Sequence, residues 1–164
     1  MAVQYAKAIG TRVIAIDAGE LKSDFARKLG ADVAIDITKE KDVVGKVHEI
    51  TNGGADYVIV AAAVGAAFVH AVDYLRVNGT LGCVGIPSDT AFIHVPVSTV
   101  VIRGITITGS LVGSMAEVVE ALEFVQRGVV KPQVTVVEGL EKLPACYEAL
   151  KSGKVLGRLV IKVT

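Results

Sequence analysis

Asp17 has the type and setting that best suit chemistry in this 164-residue chain. It closes a compact β-branched run, residues 11–17 (TRVIAID), and is followed at once by Ala18-Gly19. Such a run marks a strand buried on both faces, which puts the carboxylate at the carboxyl edge of a sheet. There it can accept hydrogen bonds from the hydroxyls of an adenosine ribose, and its charge repels a ribose that carries an extra phosphate. The same placement serves equally for a helix cap or a solvated loop carboxylate, and spacing alone does not separate these.

The remaining candidates for chemistry are sparse. His48, His70 and His94 lack metal-ligand spacing with one another or with Cys83 and Cys146, so no metal site is expected among them. His48 is expected on an exposed helix face, His70 within a helix and His94 beside a strand. The two cysteines fit no disulfide framework and read as reduced, core-type residues of an intracellular, cytoplasmic protein. Lysine plus arginine equals aspartate plus glutamate, at 17 each. That balance gives no electrostatic grip on nucleic acid or on an anionic membrane. The long apolar run at 57–68 is broken by Gly65 and too short to cross a bilayer. Gln4 and Lys7 in a helical opening argue against a secretory leader.

The elements that must position Asp17 alternate. Residues 1–9 predict a helix stopped at Gly10, and 11–17 a strand. Residues 20–29 predict a helix ending at Gly30, 32–36 a strand, and 39–50 a helix closed by Asn52-Gly53-Gly54. Residues 56–63 predict a strand, 66–74 a helix and 79–85 a glycine-punctuated strand. Alternation with short connections calls for a parallel sheet covered on both faces. After Gly85 come a loop over 86–89, a short helix over 96–102 with proline in its first turn, and a strand over 105–109. Helix 114–127 has Ser114 as N-cap and Val118, Leu122 and Val125 on one face. Strand 134–137, a helical region over 141–151 and strand 159–163 complete the chain.

In a dinucleotide-binding fold, a GxGxxG loop precedes the ribose acid by about 20 residues. Counting back from Asp17 puts that loop before Met1, so the chain is expected to start inside the phosphate-binding helix. AVQYAKAIGTRVIAID, KLGADVAIDITKEKDVVGKV, TNGGADYVI, YLRVNGTLGCVGIP, GITITGSLVGS and SGKVLGRLVIKV follow in order over the whole length. Together they resemble the cofactor half of fungal-type, medium-chain, zinc-dependent alcohol dehydrogenases.

The resemblance implies an α/β fold: a Rossmann-type doubly wound parallel sheet without its first strand and phosphate-binding loop. Residues 1–112 would be the NAD-binding domain, and 113–164 a segment returning to the catalytic domain. Asp17 would bind the adenosine ribose, with Lys22 beside it as a cationic donor and Ile37 as an apolar wall against the adenine. Val84, Gly85 and Ile86 match the strand-end loop that meets the nicotinamide half, where glycine permits close backbone approach. Ser110 and Val112 match positions whose backbone meets the carboxamide. Arg158 resembles a late arginine that reaches the cofactor phosphate. Ala61-Ala62-Ala63-Val64 depart from the family, which often carries serines there.

The family's zinc ligands lie in an amino-terminal catalytic domain, so NAD is the cofactor expected here and zinc only in a parent enzyme. This chain, a fragment or trimmed portion, would alone be inactive. A missing first strand would leave unpaired backbone groups, and the last fifty or so residues would show bare apolar faces. By resemblance, strand 105–109 would pair with its symmetry mate in a homodimer or homotetramer, which suits its uncharged, β-branched character. The expected activity is hydride transfer between a primary or secondary alcohol and NAD. A zinc-free quinone-reductase-like enzyme and a non-catalytic NAD-sensing module are the alternatives.

Overall fold

The computed structural model describes residues 1–88, 90–153 and 155–163. Asp89, in the loop expected over 86–89, lies outside the described residues, as do Lys154 and Thr164 of the closing stretch. The chain divides into two compact units, Met1–Asp36 with Val119–Thr164, and Ile37–Val118.

The first unit opens with α1 (Ala2–Ala8), which stops where Gly10 turns to a φ of 88°. β1 (Ile14–Asp17) and β2 (Val33–Asp36) form a parallel ladder, and α2 (Glu20–Lys28) packs on both. Their register pairs Ile14 with Val33 and Asp17 with Asp36, so the two strands end on adjacent aspartates. The crossover is short because Gly19 takes a φ of 93° that other residues avoid. Near its start, Asp32 braces the unit: Oδ2 accepts from Val13 N at 2.7 Å, and Lys7 Nζ donates to both oxygens at 2.9 Å.

A later part of the chain folds back onto α1 in this unit. Tyr5 meets Phe124 edge-on at 5.6 Å and donates its hydroxyl to Ala121 O. Gln4, buried, grips the backbone of Lys131 by two hydrogen bonds: Nε2 donates to the carbonyl at 3.0 Å, and Oε1 accepts from the amide at 2.7 Å. Both polar ends of that buried amide are thereby satisfied. β6 (Val134–Glu138) and β7 (Arg158–Lys162) form another parallel pair, with α6 (Leu143–Lys151) between them in sequence.

The second unit holds the parallel sheet β3–β4–β5, made of Ala55–Val60, Leu75–Cys83 and Thr106–Gly109. α3 (Val43–Thr51) packs on β3, and α4 (Val97–Arg103) on β4. Phe68, Ala71, Val72 and Leu75 fill the core with Val60, Leu81 and Ile105. α3 begins four residues later than its periodicity predicts, because the Asp42 carboxylate caps it by accepting from Gly45 N at 2.8 Å. The helix expected over 66–74 is instead a 3-10 turn, Gly65–Phe68, followed by turns. Tyr74 O accepts from Ala55 N at 2.8 Å and Leu75 already pairs with Ala55. The segment is drawn into the sheet before an α-helical ladder can close.

α5 (Met115–Gln126) begins with a capping box: Glu117 N donates to Ser114 Oγ, and Ser114 N to Glu117 Oε2 at 2.6 Å. Its Val118 and Leu122 are exposed, as are Val134, Val136 and Tyr147 further on. The apolar faces expected to be bare in the last third of the chain are bare. Among the described residues, β1 pairs only with β2, and β3 only with β4.

Candidate functional site

Parallel strands in one sheet end at the same edge, and open α/β sheets bind ligands there. In the first unit that edge carries Asp17, half exposed, on the turn into α2. Its Oδ1 accepts from Ala18 N at 2.8 Å and from Lys22 Nζ at 3.2 Å. Lys22 is the third residue of α2, and its ammonium stands beside the Asp17 carboxylate. Asp36, its neighbour in register, accepts from Gly19 N through Oδ1 at 2.8 Å. Sequence reasoning passed over Asp36, although it closes its strand as Asp17 does. Ile37 follows it and is half exposed. Arg158 belongs to the same unit but opens β7, with its backbone N donating to Gln133 O at 2.8 Å.

In the second unit the ends of three strands are tied together. Val84 N and Gly85 N both donate to Val60 O, at 3.0 and 2.8 Å, and Ser110 N donates to Cys83 O at 3.0 Å. Val84, Gly85, Ile86, Ser110 and Val112 thus lie at or just beyond one sheet edge. Val84, Ile86 and Val112 are exposed, Val112 at 90%. Val112 also has a φ of 47°, a strained placement for a β-branched residue. Gly85 packs so closely on residues 61–62 that a Cβ would stand 2.5 Å from the Ala62 carbonyl carbon. The chain's own backbone demands glycine there, whatever else approaches.

The histidines are engaged locally. His48 Nε2 lies 2.7 Å from Asp73 O, His70 Nδ1 lies 3.1 Å from Asp73 Oδ2, and His94 stacks obliquely near Phe92. Among the described residues, no three His, Cys, Asp or Glu side chains gather as a metal site would require. These residues do not fit a zinc centre. Burial pushes the Cys83 thiol above its ordinary value, away from the reactive thiolate. No helix among the described residues is long and apolar enough to cross a membrane.

Parallel strands joined by helical crossovers, with loops at their carboxyl ends, define an α/β class of fold. The family model described as zinc-binding dehydrogenase matches residues 1–127. The chain belongs to the zinc-binding dehydrogenase family. It is 44% identical over 163 residues to alcohol dehydrogenase 1 of Neurospora crassa, covering 98% of this chain and 46% of that protein. Among solved structures, the alcohol dehydrogenase of the archaeon Aeropyrum pernix superposes with a TM-score of 0.87 at 30% identity, over 98% of this chain and 45% of its own. A protein described as an NAD-dependent alcohol dehydrogenase gives 0.86 at 30% identity, over 99% of this chain and 47% of its own. The chain spans just under half the length of these relatives.

Proposed function

We propose that this chain is the cofactor-binding part of an NAD-dependent alcohol dehydrogenase. The observation that carries the reading is the Asp17 carboxylate at the sheet's carboxyl edge, oriented by Ala18 N and flanked by Lys22. In this reading Asp17 accepts from the adenosine ribose hydroxyls and Lys22 donates to them. A negative carboxylate at that point disfavours the phosphorylated ribose of NADP. This separates the reading from NADPH-dependent quinone reductases, and similarity to alcohol dehydrogenases over nearly the whole chain separates it from a non-catalytic sensor.

Ile37 lies against the adenine, and Arg158 pairs with the cofactor phosphate as a bidentate donor. The backbone of Val84, Gly85, Ile86, Ser110 and Val112 orients the nicotinamide half, with residues 1–112 as the cofactor domain and 113–164 returning to a catalytic domain. Bound NAD supplies the hydride acceptor: the alcohol carbon gives up a hydride and its hydroxyl loses a proton, leaving the carbonyl product. Any zinc takes its ligands from outside this chain. The strand near residues 105–109 serves as the edge that pairs in a homodimer or homotetramer, and the protein works in the cytoplasm.

The test is an absorbance assay of nicotinamide reduction by the full polypeptide, with primary and secondary alcohols. Alcohol-dependent reduction of NAD, much slower with NADP, supports the reading. Preference for NADP, or quinone reduction with no alcohol activity, overturns it.

A further inference from the structure

The turn from β1 to α2 is held from another strand as well as by its own residues. Gly19 has φ 93° and ψ 147°, a region that only glycine enters readily and that glycine has no reason to prefer. No side chain of the turn caps α2. What fixes the Gly19 amide is a residue from another strand: Asp36 Oδ1 accepts its N–H at 2.8 Å across 17 positions of sequence. The β1–β2 register makes this reach possible, because Asp36 is the direct neighbour of Asp17.

The consequence falls on Asp17. Both of its hydrogen bonds among the described residues go to Oδ1, from Ala18 N and Lys22 Nζ. Ala18 lies between Asp17 and the anchored Gly19, so the peptide that orients the Asp17 carboxylate is held at its far end by Asp36. We propose that Asp36 is a positioning residue: it anchors the Asp17–Gly19 turn and so aims the Asp17 carboxylate at the adenosine ribose. This rests on the reading of Asp17 as the ribose ligand. The role rests on the hydrogen bond that Asp36 accepts from Gly19 N–H, not on a charge contributed to the ligand, and this distinction makes the role testable.

The experiment compares Asp36→Ala, Asp36→Asn and Asp17→Ala with the native full polypeptide. NADH affinity is followed by nicotinamide fluorescence, and KM for NAD is measured against kcat. Asp36→Ala should weaken NADH binding and raise KM for NAD about tenfold, the loss expected for one charge-assisted hydrogen bond, with a much smaller change in kcat. Asp36→Asn keeps a carbonyl oxygen for Gly19 N–H and should restore affinity to within about threefold of native. Should the alanine variant not fold, Asp36→Val deletes the acceptor while keeping a strand-forming residue. Native affinity in the acceptor-deleting variant, or an asparagine variant as weak as it, overturns the proposal. Asp17→Ala separates the two levels. If it weakens NADH binding while Asp36→Ala does not, only the positioning role falls. If it leaves NADH binding unchanged, the ribose reading falls as well.

Discussion

Replacing Gly85 by alanine puts a single methyl group against backbone that cannot rotate away. The added Cβ would lie 2.5 Å from the Ala62 carbonyl carbon and 3.0 Å from that of Ala61. Carbon atoms rest at about 3.5–4.0 Å, so the loop must shift by roughly 1 Å. Two hydrogen bonds oppose the shift, from Val84 N and Gly85 N to Val60 O. Overpacking of this kind costs about 1–3 kcal/mol, and each weakened hydrogen bond adds about 0.5–1.5 kcal/mol. The expected total is about 2–6 kcal/mol, measured by urea unfolding followed by circular dichroism. At about 2–4 °C per kcal/mol for a chain of this size, Tm should fall by at least about 4 °C. Gly82, on the same strand, is the internal control: its added Cβ would meet Ile59 Cγ1 and Val58 O at an ordinary 3.8 Å. Gly82→Ala should be neutral or slightly stabilising. A Gly85→Ala variant within about 0.5 kcal/mol of native, or a Gly82→Ala variant equally damaged, would refute the packing argument.

Leu75 is fully buried at the centre of the second unit, and Leu75→Ala should cost about 2–5 kcal/mol by denaturant unfolding. Ser114→Ala removes the cap of α5 and should cost about 1 kcal/mol, with a matching loss of helical signal. Asp32 is held below its ordinary value, first by the Val13 backbone amide and then by Lys7, and Glu117 by the Ser114 amide. Both carboxyls have a folded pKa below their unfolded one. Their stabilising effect is therefore full above about pH 4 and fades as pH falls through the folded values. Acid unfolding of Asp32→Asn should show a shallower pH dependence in that window than the native chain.

Much of this architecture is legible in the residues. β-branched runs ending in aspartate gave β1 and β2, and glycines at 10 and 30 stopped their helices where the backbone turns left-handed. The helix expected over 66–74 gives way to a contact distant in sequence. Spacing alone puts Phe68, Ala71, Val72 and Leu75 on one face, but cannot show that Tyr74 and Leu75 are already committed to Ala55. The late start of α3 is a local matter: Lys39, Glu40 and Lys41 are good helix formers, but Asp42 caps the helix after them. For the candidate site, Asp17 stands out in the sequence as the acid that closes a β-branched run, whereas Lys22 is singled out only by the family resemblance, and its ion pair with Asp17 emerges from the structure. The Asp36–Gly19 bond is not legible there, because it depends on strand register, which a single sequence leaves open. The tight seat of Gly85 on residues 61–62 was equally hidden, since glycine at a strand end signals close approach without naming the neighbour.

In the proposed function Asp17 is the residue that selects NAD. Its most direct test is parallel fluorescence titration with NADH and NADPH of the native full polypeptide and its Asp17→Ala variant. The native protein should prefer NADH strongly, and the variant should lose most of this preference through weaker NADH and stronger NADPH binding. An NADH preference that survives intact in Asp17→Ala would contradict that role.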